Sequence, residues 1–205
     1  MTLFTQVTLL LIAYLFGSIP WGFVLGKMKG IDIREYGSKN IGATNTGRVL
    51  GRRYAVLAYF LDAFKGFIFV GLFTSEILNM KYCLLTPMLY GLAAVLGHTF
   101  PIYLKFKGGK AVATGGGVLL AFSPLVFIVG VGVFFLVTYV FKYVCLISSI
   151  FLSIFYPDKY NLYYPIGMSI IFTIILIRHK TNISRIIHKN ESKVKWRKEK
   201  SNKLD

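Results

Sequence analysis

Charged residues are scarce in this 205-residue chain, at 16% of positions, where average soluble domains carry about 25%. With 55% hydrophobic residues and a mean hydropathy of +0.62, too little polar side chain remains to cover a soluble globule of this size. The same composition excludes a disordered chain, which needs low hydrophobicity. Cysteine is limited to Cys83 and Cys145, which excludes a disulfide scaffold. Internal repeats and low-complexity tracts are absent as well. Acidic residues are few: 8 against 24 Lys and Arg, a formal net charge of +16. An oily chain with a large positive excess points to a membrane protein, provided that the charge lies on one side.

Apolar stretches run over Leu3–Leu25, Tyr54–Phe73, Cys83–Leu104, Ala111–Phe155 and Tyr163–Ile177. About 20 apolar residues cross the hydrocarbon core, so the first three stretches suit one span each, and the last borrows from Tyr160 onward. Ala111–Phe155 is too long for one crossing. Ser123-Pro124 and Lys142 divide it into three short helices. The fold expected is an all-α integral membrane bundle of seven transmembrane helices, with five as the fallback.

Orientation follows from Lys and Arg in the short loops. The segments from Lys27 to Arg53, from Lys105 to Lys110 and from Arg178 onward hold 20 of the 24 basic residues, and they alternate onto one face. The opposite loops, around Glu76–Lys81 and Asp158–Lys159, carry one each. The N-terminus is therefore expected outside and the C-terminus in the cytoplasm. The first span lacks a basic leader and is followed by positive charge, so it reads as a retained span, not a cleaved signal. Residues 1–183 form the membrane domain on this reading, and 184–205 a basic cytoplasmic tail.

Three cytoplasmic segments carry chemistry. Gly37-Ser38-Lys39-Asn40-Ile41-Gly42-Ala43-Thr44-Asn45 precedes Arg48. Its small residues and amides let backbone N–H groups face a ligand, and the Arg48 fork suits phosphate. Gly97-His98-Thr99-Phe100-Pro101 leads to Phe106-Lys107-Gly108-Gly109-Lys110 and Thr114. Two glycines between lysines before a helix suit an anion, although KGGK alone is equally a solvated basic turn. It lacks the Walker A spacing, and His98 alone reads as a satisfied interfacial histidine. Arg178-His179-Lys180-Thr181-Asn182-Ile183-Ser184-Arg185 follows the last span. On a continuing helix Arg178, Asn182 and Arg185 share a face, as do His179 and Asn182. Asp62 and Lys65, one turn apart inside a span, read as an ion pair bracing the bundle.

These segments together resemble the bacterial acyl-phosphate:glycerol-3-phosphate acyltransferases, the PlsY family. The likeness rests on Gly37–Arg48, Gly97–Thr114, Arg178–Arg185 and the D-A-F-K-G of Asp62–Gly66, and it covers nearly the whole chain. Three departures stand out. Lys39 occupies a position where glycine is common, Ala111 follows GGK where glycine is usual, and Thr46-Gly47 replaces a more apolar pair. Alanine suits a helix start, so retained activity is expected.

The resemblance implies transfer of a fatty acyl group from acyl phosphate to the 1-hydroxyl of glycerol 3-phosphate, giving lysophosphatidate at the cytoplasmic face of the bacterial inner membrane. By the same resemblance His179 and Asn182 are catalytic and orient the glycerol hydroxyl. Ser38, Asn40, Asn45, Arg48, His98, Lys107, Gly108, Gly109, Lys110 and Thr114 bind substrate and phosphate. No cofactor, metal or nucleic acid is expected. The partners are the two substrates, and anionic lipid at the tail of a monomeric protein. The thioester-dependent acyltransferases share an HxxxxD pair, but here His98, His179 and His188 are followed five residues on by Tyr103, Ser184 and Lys193. The rivals are an organic-phosphate transporter and a lipid-binding membrane subunit. The lack of repeat symmetry and the clustering of polar residues at span ends weigh against the transporter.

Overall fold

The computed structural model describes residues 2–74, 85–141 and 163–188. Among them all regular structure is helical. Helix α1 (Leu3–Gly17) starts at Thr2, whose hydroxyl accepts the Thr5 amide at 3.2 Å. Helix α2 (Trp21–Lys27) follows at a bend of 46°. The expected single span over Leu3–Leu25 is therefore broken. Pro20 has no N–H to continue the ladder, and Ser18 closes α1 by donating both its amide and its hydroxyl to the Tyr14 carbonyl, each at 2.8 Å. Helix α3 (Ala43–Leu50) is a short helix of eight residues. It ends at Gly51, whose φ of 93° suits only glycine and turns the chain into α4 (Arg52–Thr74).

Helix α5 (Pro87–Thr99) opens on a proline, whose missing N–H costs nothing in a first turn. A 3-10 turn (Ile102–Leu104) and the glycine loop lead into α6 (Val112–Phe122). Extended Ser123 then ends α6, and Pro124 opens α7 (Pro124–Phe141), so the expected division at Ser123-Pro124 is present. Helices α8 (Tyr163–Arg178) and α9 (Lys180–Ile187) complete the described chain. The α9 helix runs through positions 183 and 184, where the tail was expected to begin. The expected breaks or loops at Lys142, Glu76–Lys81 and Asp158–Lys159, and the tail beyond His188, lie outside the described residues.

Among the described residues, α4 and the Pro87–Leu104 segment are long and apolar enough to cross a membrane, and the bent α1–α2 pair makes a third candidate. With 11 residues, α6 is about 16 Å long and falls short of a bilayer by itself. Close backbone contact joins these helices, as membrane packing requires without a hydrophobic drive. A Cβ on Gly66 of α4 would collide with the Thr114 carbonyl, and one on Gly117 of α6 with the Ala63 carbonyl. Gly17 and Gly97 pack α1 on α5 in the same way. Val70, Met88, Val95, Val118, Tyr164 and Ile171 fill the centre, and side chains such as Phe4 and Leu125 face outward.

Lys39 and Ala111, two of the family departures, both lie in the left-handed region with φ of 58°. Ala111 caps α6 from that conformation, so alanine does not suit this helix start as expected. Left-handed backbone costs a non-glycine residue about 1–2 kcal/mol, and the added unfolded-state freedom of glycine gives back about 0.4–1 kcal/mol of that. Lys39 is exposed, so Lys39→Gly is expected to stabilise the protein by about 0.5–1 kcal/mol. The Ala111 methyl is buried, and losing it costs about 0.8 kcal/mol, which leaves Ala111→Gly near neutral. Unfolding of both variants in detergent, followed by helical circular dichroism, checks the difference.

Candidate active site

The loop between α2 and α3 is built around Asn45, which is 1% exposed. Its Oδ1 accepts the Ser38 amide at 2.8 Å, and its Nδ2 donates to the carbonyls of Ile33 and Asn40 at 2.9 and 2.8 Å. Asn45 was expected to meet substrate, but its amide group is committed to the loop's own backbone. Asn40 Oδ1 accepts the Gly42 amide at 2.9 Å and shapes the turn before α3. Gly37 is left-handed, and a Cβ there would strike Asn45 Oδ1 and lie 3.8 Å from the Cβ of Arg48. Ser38 is half-buried and Arg48 is exposed. Two other cations of this loop have internal partners. Asp32 takes a fork from Arg34 at 2.9 and 2.6 Å, and Lys27 lies 3.5 Å away. The Arg34 guanidinium holds the Asp32 carboxyl well below the usual carboxylate range.

The glycine loop is clamped from two sides. The Gly109 N–H donates to the His98 carbonyl at 3.0 Å, so this amide is not free for an anion as the sequence suggested. The Gly108 and Gly109 carbonyls accept the Arg178 guanidinium at 2.7 and 3.2 Å. With both carbonyls turned to Arg178, the opposite side of the loop and the first turn of α6 remain for a ligand. Lys107 is exposed there, and Lys110 is half-buried. Thr114 is fully buried against Gly66 of α4, and its hydroxyl has no hydrogen-bond partner among the described residues. Its place is behind the site rather than on its surface.

The third segment does not continue one helix. His179 interrupts it: α8 ends at Arg178, and the His179 carbonyl accepts the Asn182 and Ile183 amides that open α9. His179 is 4% exposed, and its Nδ1 lies 2.8 Å from the Ile175 carbonyl. A carbonyl only accepts, so Nδ1 carries the proton and Nε2 of the neutral ring bears the lone pair. Asn182 Oδ1 accepts a hydrogen bond from Lys110 Nζ, which joins the third segment to the second.

Sequence reasoning passed over Arg178 as a site residue. Its signal was a five-donor fork at the end of an apolar helix, able to reach two carbonyls where lysine reaches one. His98, expected to support the pocket, is buried under the glycine loop. No cluster of three or more metal-ligating side chains occurs among the described residues.

Burial pushes the His179 imidazole down to about 4. The Lys110 charge adds to the shift, and the Ile175 hydrogen bond opposes it. His179 is therefore neutral at pH 7. Because its folded value lies below the ordinary 6.5, this group contributes stability above pH 6.5 that is lost as pH falls toward 4. A ring-proton NMR titration of the protein in micelles is expected to show His179 protonating near pH 4, and a midpoint at 6.5 would refute this.

The fold defines a class: a helical integral membrane protein whose polar and cationic side chains gather at the ends of its helices. The glycerol-3-phosphate acyltransferase family model matches residues 7–189. The glycerol-3-phosphate acyltransferase of Bacillus subtilis (strain 168) is 46% identical over 195 residues, covering 92% of this chain and 97% of its own. That of Staphylococcus haemolyticus (strain JCSC1435) is 46% identical over 202 residues, covering 93% and 98%. The crystal structure of PlsY, an integral membrane glycerol 3-phosphate acyltransferase, in its glycerol 3-phosphate form, superposes with a TM-score of 0.86. Identity is 36%, with 93% of this chain and 96% of that one covered. Its lysophosphatidic acid form gives 0.84. The chain belongs to the glycerol-3-phosphate acyltransferase family.

Proposed function

We propose that this protein transfers a fatty acyl group from acyl phosphate to the 1-hydroxyl of sn-glycerol 3-phosphate, releasing lysophosphatidate and inorganic phosphate. The observation that carries this reading is the meeting of Lys110, Arg178, His179 and Asn182 around the glycine loop. Such a site places an anion loop beside a neutral imidazole where the helices leave the bilayer. The acyl tail stays among the helices while both phosphates are held at the interface. We place the site on the cytoplasmic face of the bacterial inner membrane, in a monomer of seven spans with its N-terminus outside, because the basic segments alternate onto that face.

The hydroxyl oxygen of glycerol 3-phosphate attacks the acyl carbonyl carbon, a C–O bond forms, and the bond from that carbon to the phosphate oxygen breaks. Phosphate is a good leaving group, so positioning and charge neutralisation carry the catalysis. Ser38, Asn40, Arg48 and Lys107 grip phosphate. Gly108, Lys110 and the first turn of α6 cradle the acyl phosphate, and Gly109 fixes the loop through its bonds to His98 and Arg178. Asn45, His98 and Thr114 hold these groups from behind. His179 Nε2 accepts the hydrogen bond of the attacking hydroxyl, with Asn182 beside it. A ring that protonates near pH 4 is a weak base at pH 7, which favours a substrate phosphate as the final proton acceptor and His179 as the group that orients the hydroxyl.

Purified protein given acyl phosphate and labelled glycerol 3-phosphate is expected to form labelled lysophosphatidate. Arg48→Ala removes a charge-assisted phosphate contact of about 1.5–3 kcal/mol, so turnover at low substrate should fall roughly 10- to 100-fold with the fold intact. Absence of product refutes acyl transfer. Product formed equally well from acyl-CoA refutes the donor and keeps the transfer.

A further inference from the structure

Beneath the glycine loop lies a buried charge cluster of which only His98 enters the scheme above, as a support from behind. Asp62 and Lys65 of α4 are 2% and 0% exposed, and His98 at the end of α5 is 4% exposed. Lys65 Nζ lies 2.8 Å from Asp62 Oδ1, and His98 Nδ1 lies 3.5 Å from the same oxygen. Lys65 also donates to the Ile19 carbonyl at 2.8 Å. Ile19 sits in the break between α1 and α2, just where the helical ladder is interrupted. The ammonium therefore ties α4 to the element from which the first loop springs, since a Cβ on Gly22 of α2 would collide with the Ile41 carbonyl of that loop. On the other side, His98 holds the second loop. Its carbonyl accepts the Gly109 amide, and its ring edge is pressed so close that a Cβ on Gly109 would collide with Nε2.

We infer that Asp62, Lys65 and His98 are positioning residues that hold the two phosphate-binding loops at a fixed separation, one through Ile19 and α2, the other through Gly109. This rests on the acyl-transfer reading, in which two phosphate-bearing substrates must meet at one carbonyl carbon. A small misplacement of one loop then costs turnover while leaving each substrate's own contacts in place. A pair that only braced the bundle would be replaceable by apolar side chains of similar size. Lys65 is instead bound to the α1–α2 break by a side-chain hydrogen bond that an apolar replacement cannot reproduce, and the His98 ring edge packs under Gly109 while its carbonyl accepts the Gly109 amide.

The test removes both charges together, because a lone buried charge endangers folding. Asp62→Asn combined with Lys65→Met is expected to lower kcat at least tenfold while equilibrium binding of labelled glycerol 3-phosphate stays within threefold. Deuterium uptake at 105–112 should rise at least tenfold, with 87–95 unchanged. His98→Asn keeps a donor toward Asp62 but withdraws the ring edge from Gly109, and the same separation of kcat from binding is expected. A kcat within twofold of the unmodified protein in both variants overturns the inference, as does uptake that rises uniformly along the chain. If the unmodified protein does not turn over acyl phosphate, the proposed reaction fails. The exchange pattern then decides alone whether the cluster holds the loops.

Discussion

An ammonium buried in a membrane-spanning helix is the constraint around which this molecule is arranged. Lys65 has no exposure and must find acceptors within the protein, because none is available from lipid. It finds two: the Asp62 carboxylate one turn away and the Ile19 carbonyl at the break between α1 and α2. The break supplies an acceptor that an unbroken helix would have kept for itself. A bent first span and a charged second span, each costly alone, satisfy one another. Glycines at Gly66 and Gly117 let α6 approach α4 at backbone distance next to this pair, so the helix that follows the glycine loop is held against α4.

The large positive charge of the chain divides into unlike roles. Lys27 and Arg34 are drawn to Asp32 and fold the first loop. Arg178 holds the two glycine carbonyls, and Lys110 holds Asn182. Arg48 and Lys107 stand at the surface. The structural cations shape backbone around the proposed site, and the exposed ones are left open to solvent. A neutral imidazole among so many positive groups follows from the same field, since both burial and Lys110 disfavour a further positive charge on His179.

Much of this was legible from one dimension. Low charge, long apolar runs and the gathering of basic residues in alternating segments are local properties, and they defined a helical membrane protein with three polar segments on one face. Ser123-Pro124 marked a helix boundary because an extended residue before proline is a steric matter between neighbours. The one-turn spacing of Asp62 and Lys65 already implied their pairing. Pro20 carried the same kind of signal as Pro124, yet it sat inside an apolar run long enough for one span, and hydropathy hid the bend.

What only the tertiary structure decided were the partners of polar groups far apart in sequence. Asn45 and Asn40 look alike in a loop sequence, but one faces inward to three backbone carbonyls and the other shapes a turn. Gly109 read as a free amide until His98 was placed beside it, and Arg178 read as sharing a helix face with Asn182 and Arg185 until two carbonyls came within its reach. Helix periodicity orders residues along one face of one helix, whereas a hydrogen bond across 70 positions depends on how helices cross. The sequence by itself determined the helical membrane class and the three polar segments, because hydropathy and residue type are local properties. The packing of α4 against α6, and of the glycine loop against His98 and Arg178, decided which polar groups are tied up inside the protein and which are left open.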